Sequence, residues 1–260
     1  MTKVTTNYMK LTKQFFWIGG GLLLLVLLLS AIQQKRSGDS IDFQVEIMGK
    51  ANEHFITEGD VRNTIKRRFG HVLNGIPIGS LDLREVEKVL ESDPFILNAD
   101  VYVDALSKVR VRVNQRQPLI RVVDGQGTHF YLDYEGKKMP LSANFTPRVV
   151  VASGYVPVFD EMFLETEEHV LKQLFDLAHF VKDDPFLNAM IEQFYVNSEG
   201  DIIMAPKIGK HKIILGSTDR MAEKLDNLKV FYREGLAYTG WSKYKTINLK
   251  FKGQVVCSKT

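Results

Sequence analysis

The residue types that perform chemistry are present in this chain, but at spacings that suit none of the familiar reactions. Its six histidines, His54, His71, His129, His169, His179 and His211, never fall four apart, the spacing that sets two imidazoles on one helix face for zinc. Cys257 is the one cysteine, which excludes an intrachain disulfide framework and a thiolate metal cluster. Gly125-Gln126-Gly127 begins like a phosphate loop, yet residue 130 is Phe and the setting is a hairpin, so a tight turn is the better reading. Val151-Ala152-Ser153-Gly154 lacks the first glycine of a nucleophile elbow, and Ser153 is expected in a turn. The acid pairs Glu167-Glu168 and Asp183-Asp184 fall at the ends of an expected helix, where carboxylates commonly cap and solvate. Asn144-Phe145-Thr146 fits a glycosylation acceptor, a pattern frequent by chance. No pattern nominates a catalytic, cofactor-binding or metal-binding residue, which does not disprove an enzyme but leaves the burden on that reading. An anchored hydrolase stays open as a further reading, because periodicity does not reveal a polar pocket.

The elements that would position any site begin with Phe15 to Ile32, an uncharged run of 18 residues behind the basic tail 1–14. A helix of about 20 apolar residues spans the bilayer core, so 15–32 is expected to be a transmembrane helix. Lys3, Lys10 and Lys13 precede it without an acid, while Lys35 and Arg36 are followed by Asp39 and Asp42. The positive-inside bias favours a cytoplasmic N-terminus and extracytoplasmic domains. A cleaved signal peptide is the competing reading, for which Leu29-Ser30-Ala31 is a poor site. The formal charge of +3 is the three tail lysines alone; the remainder is neutral and offers no basic stripe for nucleic acid.

After a polar linker at 33–40, Ile41, Phe43, Val45 and Ile47 alternate as a half-buried strand. Thr57 to Asp60 resembles a capping box, followed by Val61, Ile65 and Phe69 at helical spacing up to Gly70. Asp82 is a candidate cap for a second helix carrying Leu83, Val86 and Leu90, which Pro94 stops. Two strands follow, 96–103 and 108–114. The order β-α-α-β-β over 41–115 is that of a POTRA domain or of another small α+β unit with one buried face. From Arg116 strands dominate: 119–124, 128–133, 137–140 and 149–152, a helix at 166–182, a hairpin at 191–197 and 201–205, and a strand at 212–216. Thr218-Asp219 is expected to cap a helix bearing Met221, Leu225, Leu228 and Tyr232, and 246–251 is the last clear strand. That strand is either an exposed edge or a central strand covered by the tail 257–260; the pattern supports both. The fold class is therefore α+β, with one transmembrane helix, a POTRA domain and a larger β-rich domain at 116–256 with flanking helices.

Over nearly its whole length the chain resembles the bacterial cell-division family FtsQ, called DivIB in some lineages. Arg116-Gln117-Pro118 is similar to the family's Arg-x-Pro at the domain junction, and Tyr131 to Gly136 to its aliphatic-Asp-x-x-Gly turn. Ile214-Leu215-Gly216 with Lys224-Leu225, and Ile247 to Phe251, resemble its Leu-Gly, Lys-Leu and terminal Asp-Leu-Arg-Tyr motifs. The departures are Met139, Asn248, Lys250 and Phe251. The resemblance implies a non-enzymatic scaffold at the inner membrane and division septum, joining FtsB-like and FtsL-like single-span proteins and helping to control septal peptidoglycan synthesis. It nominates Ile247, Asn248, Leu249 and Lys250 for backbone pairing with a partner, and Phe251, Lys252, Gly253 and Val255 beside them. It further implies that other division proteins meet the POTRA domain at a strand edge, 108–114. The alternative reading is an envelope POTRA protein acting in polypeptide transport or assembly.

Overall fold

A computed structural model describes residues 23, 26, 43–49, 53–70, 82–106, 108–241 and 243–259. Among them no helix is long and apolar enough to cross a membrane. Of the apolar run only Leu23 and Val26 are described, so the expected anchor, the tail 1–14 and the linker 33–40 lie outside the described residues. The chain is mixed α+β and divides into two compact units, one of residues up to 48 with 57–114, the other of 49–56 with 115–260.

In the first unit, strand β1 (Phe43–Met48) is followed by helices α1 (Glu58–Phe69) and α2 (Leu83–Glu91) and strands β2 (Ile96–Val103) and β3 (Val109–Gln115). Thr57 and Asp60 form the capping box at the start of α1: the Asp60 N–H donates to Thr57 Oγ1, and the Thr57 N–H donates to Asp60 Oδ2 at 2.8 Å. Asp82 caps α2 by accepting from the Arg84 and Glu85 amides. The sheet order is β1-β3-β2. β1 runs parallel to β3, with Phe43 opposite Val109 and Ile47 opposite Val113. This corrects the expectation that 108–114 is an edge: β3 is the central strand, and its inward Val109, Val111 and Val113 are fully buried. Val61, Ile65, Val86 and Leu90 close the core from the helices.

The second unit is a nine-stranded sheet in the order β12-β11-β10-β9-β8-β7-β4-β5-β6. Its strands are β4 (Pro118–Val123), β5 (His129–Asp133), β6 (Lys138–Met139), β7 (Val150–Gly154), β8 (Ile191–Val196), β9 (Ile202–Pro206), β10 (Lys212–Gly216), β11 (Tyr244–Asn248) and β12 (Val256–Lys259). Three pairs are parallel: β4 with β7, whose connection carries β5 and β6, and β7 with β8 and β10 with β11, whose crossovers are helical. Between β7 and β8 run α3 (Val170–Asp183) and α4 (Pro185–Met190); between β10 and β11 runs α5 (Met221–Val230), which continues as a π turn, Phe231–Leu236. Their apolar residues, among them Leu171, Leu174, Leu177, Leu187, Leu225 and Leu228, are buried on one core with Ile120, Leu132, Phe194, Met204 and Ile247.

Hairpins in both units use one device. Asp124 accepts the amides of Gln126 and Thr128, Asp133 those of Glu135 and Lys137, Asn197 those of Glu199 and Asp201, and Asp104 those of Leu106 and Lys108. The short side chain thereby fixes two turn amides that no strand partner reaches. At Gly136 (φ 80) the turn also needs space, since a Cβ there would lie 2.9 Å from Leu164.

Other expectations need correction. Asp184 does not merely end the helix before it: its carboxylate caps α4 by accepting from Phe186 and Leu187. α5 begins at Arg220, in the left-handed region at φ 53, with no side-chain cap from Thr218 or Asp219. Ser153 lies in β7 rather than in a turn. The last strand of the sequence reading is β11, ending at Asn248, and residues expected as a tail contribute to a further strand, β12.

Candidate partner-binding site

The side chains capable of chemistry hold structural positions. His54 Nδ1 accepts from Gln115 Nε2 at 2.7 Å, His129 Nδ1 from Arg121 Nη2 at 3.2 Å, and His169 caps α3 by accepting from the Leu171 amide. His179 packs edge-on against Phe175 and Tyr134, and His211 bonds Tyr232 Oη at 2.6 Å in the core. Ser153 Oγ accepts from Gln193 Nε2. Asn144 Nδ2 donates to the Phe55 carbonyl. Lys172 bridges Glu167 and Asp176, while Lys229 bridges Asp184 and Asp226. Its hydrogen bond with Lys229 holds the Asp184 carboxyl below the usual range. Among the described residues no three of His, Cys, Asp and Glu gather as a metal site.

The family motifs meet in pairs. Arg116 Nη1 lies 2.7 Å from Asp133 Oδ2, with both side chains largely buried, so the junction arginine and the turn aspartate are the two halves of one ion pair. Lys224 is buried and donates from Nζ to the Ser217 carbonyl at 2.8 Å, tying α5 to the loop that leaves β10. Burial pushes its ammonium down, with Arg220 adding to the effect.

The nominated segment splits into three parts. Ile247 and Leu249 are buried in the core, and the Leu249 amide donates to the Ile214 carbonyl. β11 pairs in parallel with β10 through Lys212 to Ile214, and antiparallel with β12, with Ile247 opposite Cys257 and Asn248 opposite Val256. Both edges of β11 are therefore occupied within the sheet, which leaves Ile247 and Asn248 no free strand edge for backbone pairing with a partner. Lys250 closes the turn: Nζ pairs with Asp201 at 2.6 Å, its amide donates to Asn248 Oδ1, and its carbonyl accepts from Arg220. Phe251, Lys252 and Gly253 are exposed in that turn. Phe251 leaves 52% of its surface open, and the Gly253 amide donates to Glu223. Val255 is half-buried and, with Gly253, lines a shallow cleft against Val230, Phe231 and Gly235.

Among the described residues β12 is the terminal strand of the sheet, and no described strand lies beside its outer amides and carbonyls. The other described edges are blunted. β6 is two residues long, the Phe43 carbonyl of β1 accepts from Arg62 Nη2 at 2.9 Å, and the Ala99 and Val101 amides of β2 are taken by carboxylates. Sequence reasoning missed β12. Its signal was the alternation of half-buried Cys257 with exposed Val256 and Ser258, only four residues long.

Residues 117–258 match the family described as FtsQ/DivIB, C-terminal related, and residues 40–114 match the POTRA-like domain. No curated protein matches the chain.

Proposed function

The chain belongs to the FtsQ/DivIB family of cell-division proteins, and from that membership we propose that it is a membrane-anchored, non-enzymatic scaffold of the bacterial divisome. In this reading 15–32 crosses the inner membrane with the N-terminus cytoplasmic, and the POTRA and β domains face the periplasm at the septum. The partners are FtsB-like and FtsL-like single-span proteins, and the contact helps control septal peptidoglycan synthesis. The observation that carries the reading is the outer edge of β12, a short strand with exposed Val256 and Ser258 beside the exposed turn 251–254. An edge of this kind accepts an extended segment through main-chain bonds, so affinity needs few particular side chains and tolerates Asn248, Lys250 and Phe251 where the family has other residues. Exposed Lys243, Lys245, Lys252 and Lys259 rim this end of the sheet and favour an acidic partner segment.

The test is affinity purification of the full chain from its own membranes beside a chain ending at Val255, which lacks β12 but keeps β11. Two small coiled-coil membrane proteins should accompany the full chain and disappear with β12. Their persistence would move the site elsewhere, and secretion components in their place would favour the transport reading.

A further inference from the structure

The outer edge of β2 is not bare. Ala99 and Val101 both turn their side chains into the core, 4% and 5% exposed, so their amides point the same way. β3 occupies the other edge of β2, so these two amides face outward. Each meets a carboxylate from α2: the Val101 N–H donates to Glu87 Oε1 at 2.8 Å, and the Ala99 N–H donates to Glu91 Oε1 at 3.2 Å.

The match is one of period. Glu87 and Glu91 are one helical turn apart, about 6 Å along the axis. Ala99 and Val101 are two strand residues apart, about 6.8 Å along the strand. The two carboxylates therefore meet successive outward amides in register, at the positions where the carbonyls of an added strand would sit. Without them the strand Ile-Leu-Asn-Ala-Asp-Val-Tyr-Val would present an edge with one charge, no proline, and exposed Leu97 and Tyr102. Such an edge pairs readily with a copy of itself.

We propose that Glu87 and Glu91 form a carboxylate latch that holds the β2 edge shut, and that removing the latch lets β2 pair with β2 of a second copy of this chain. The latch works through hydrogen bonds, because its oxygens consume the donors an incoming strand needs. The first unit then stays unpaired, and strand addition is left to β12.

The test uses the full chain in detergent micelles, with protein mass measured by light scattering at rising concentration and amide hydrogen exchange followed over 96–103. Exchange over 109–115, in central β3, serves as the folding control. For E87A/E91A the expected result is a twofold rise in protein mass with concentration, and protection over 96–103 that is present in the dimer and lost on dilution. E87Q/E91Q keeps an acceptor oxygen at each site and should retain the single-copy mass. Should 109–115 exchange fast in the double alanine variant, E87A alone removes the shorter bond and should give the same rise at higher concentration. A mass unchanged in a folded alanine variant would overturn the proposal. So would a doubled mass in E87Q/E91Q, which would make charge repulsion the barrier, or a wild-type dimer protected over 96–103.

Discussion

Replacing Asp133 by alanine should be among the most damaging single changes in the second unit. Asp133 Oδ2 pairs with Arg116 at 2.7 Å, while Oδ1 accepts the Glu135 and Lys137 amides at 2.9 and 2.8 Å. Removing one member of a buried ion pair costs about 3–5 kcal/mol, since the remaining charge is left uncompensated. Arg116 keeps the Glu135 carboxylate at 3.5 Å and 14% side-chain exposure, which places this cost at the low end, about 3 kcal/mol. Losing the acceptor for two turn amides adds about 1 kcal/mol each, giving about 5 kcal/mol for D133A. D133N keeps an acceptor oxygen for both amides but turns an NH2 toward a guanidinium left uncompensated, for about 3 kcal/mol. R116A leaves a carboxylate still held by two amides, for about 2–3 kcal/mol. The assay is urea unfolding of the full chain in micelles with Trp17→Phe, so that fluorescence reports Trp241, 5.4 Å from Tyr232 within the same unit. A cost for D133A below about 1 kcal/mol, or equal costs for D133A and D133N, would refute the reasoning that one carboxylate serves both the pair and the turn.

Three further outcomes follow from the geometry. Burial lowers the His211 pKa below its ordinary 6.5, and Nδ1 has no hydrogen-bond partner among the described residues. The unfolded chain then binds the proton first, so stability is complete above about pH 6.5 and falls as pH drops through the folded value; H211Q should flatten that slope in unfolding titrations between pH 7 and 5. Gly154 has φ 94, and a Cβ there would lie 2.2 Å from the Val196 carbonyl. G154A should therefore cost about 3 kcal/mol or more, a fall in Tm of about 6–12 °C by calorimetry, and an unchanged Tm would contradict the contact. Y232F leaves His211 Nε2 without its partner in the core and should cost about 1–3 kcal/mol in the same urea assay, whereas a neutral result would mean that the hydrogen bond contributes nothing.

Most elements were legible because their periodicity is strong. The capping box at Thr57, the Asp82 cap, and the alternation of Val109, Val111 and Val113 each rest on side chains within a few residues of one another. What was not legible depends on pairing between distant segments. β3 alternates as an edge strand would, and only the parallel arrival of β1, more than 60 residues earlier in the chain, makes it central. β11 likewise reads as terminal until four weakly patterned residues after Val255 fold back beside it. α4 has six residues, too few for a helical stripe, and the left-handed Arg220 and the π turn leave no compositional mark. At the candidate site, Phe251 to Gly253 were nominated only through the family resemblance, and neither their exposure nor the open edge at β12 was legible in the pattern. Glu87 and Glu91 carry no local signal of their role, because the amides they meet belong to another element.

Strand addition at the outer edge of β12 is tested most directly by amide hydrogen exchange of the purified complex. When partners bound to the full chain are compared with the chain stripped of them, exchange over 256–259 should slow on binding while exchange over 96–103 stays unchanged. Unchanged exchange over 256–259 with protection appearing elsewhere would contradict strand addition at β12.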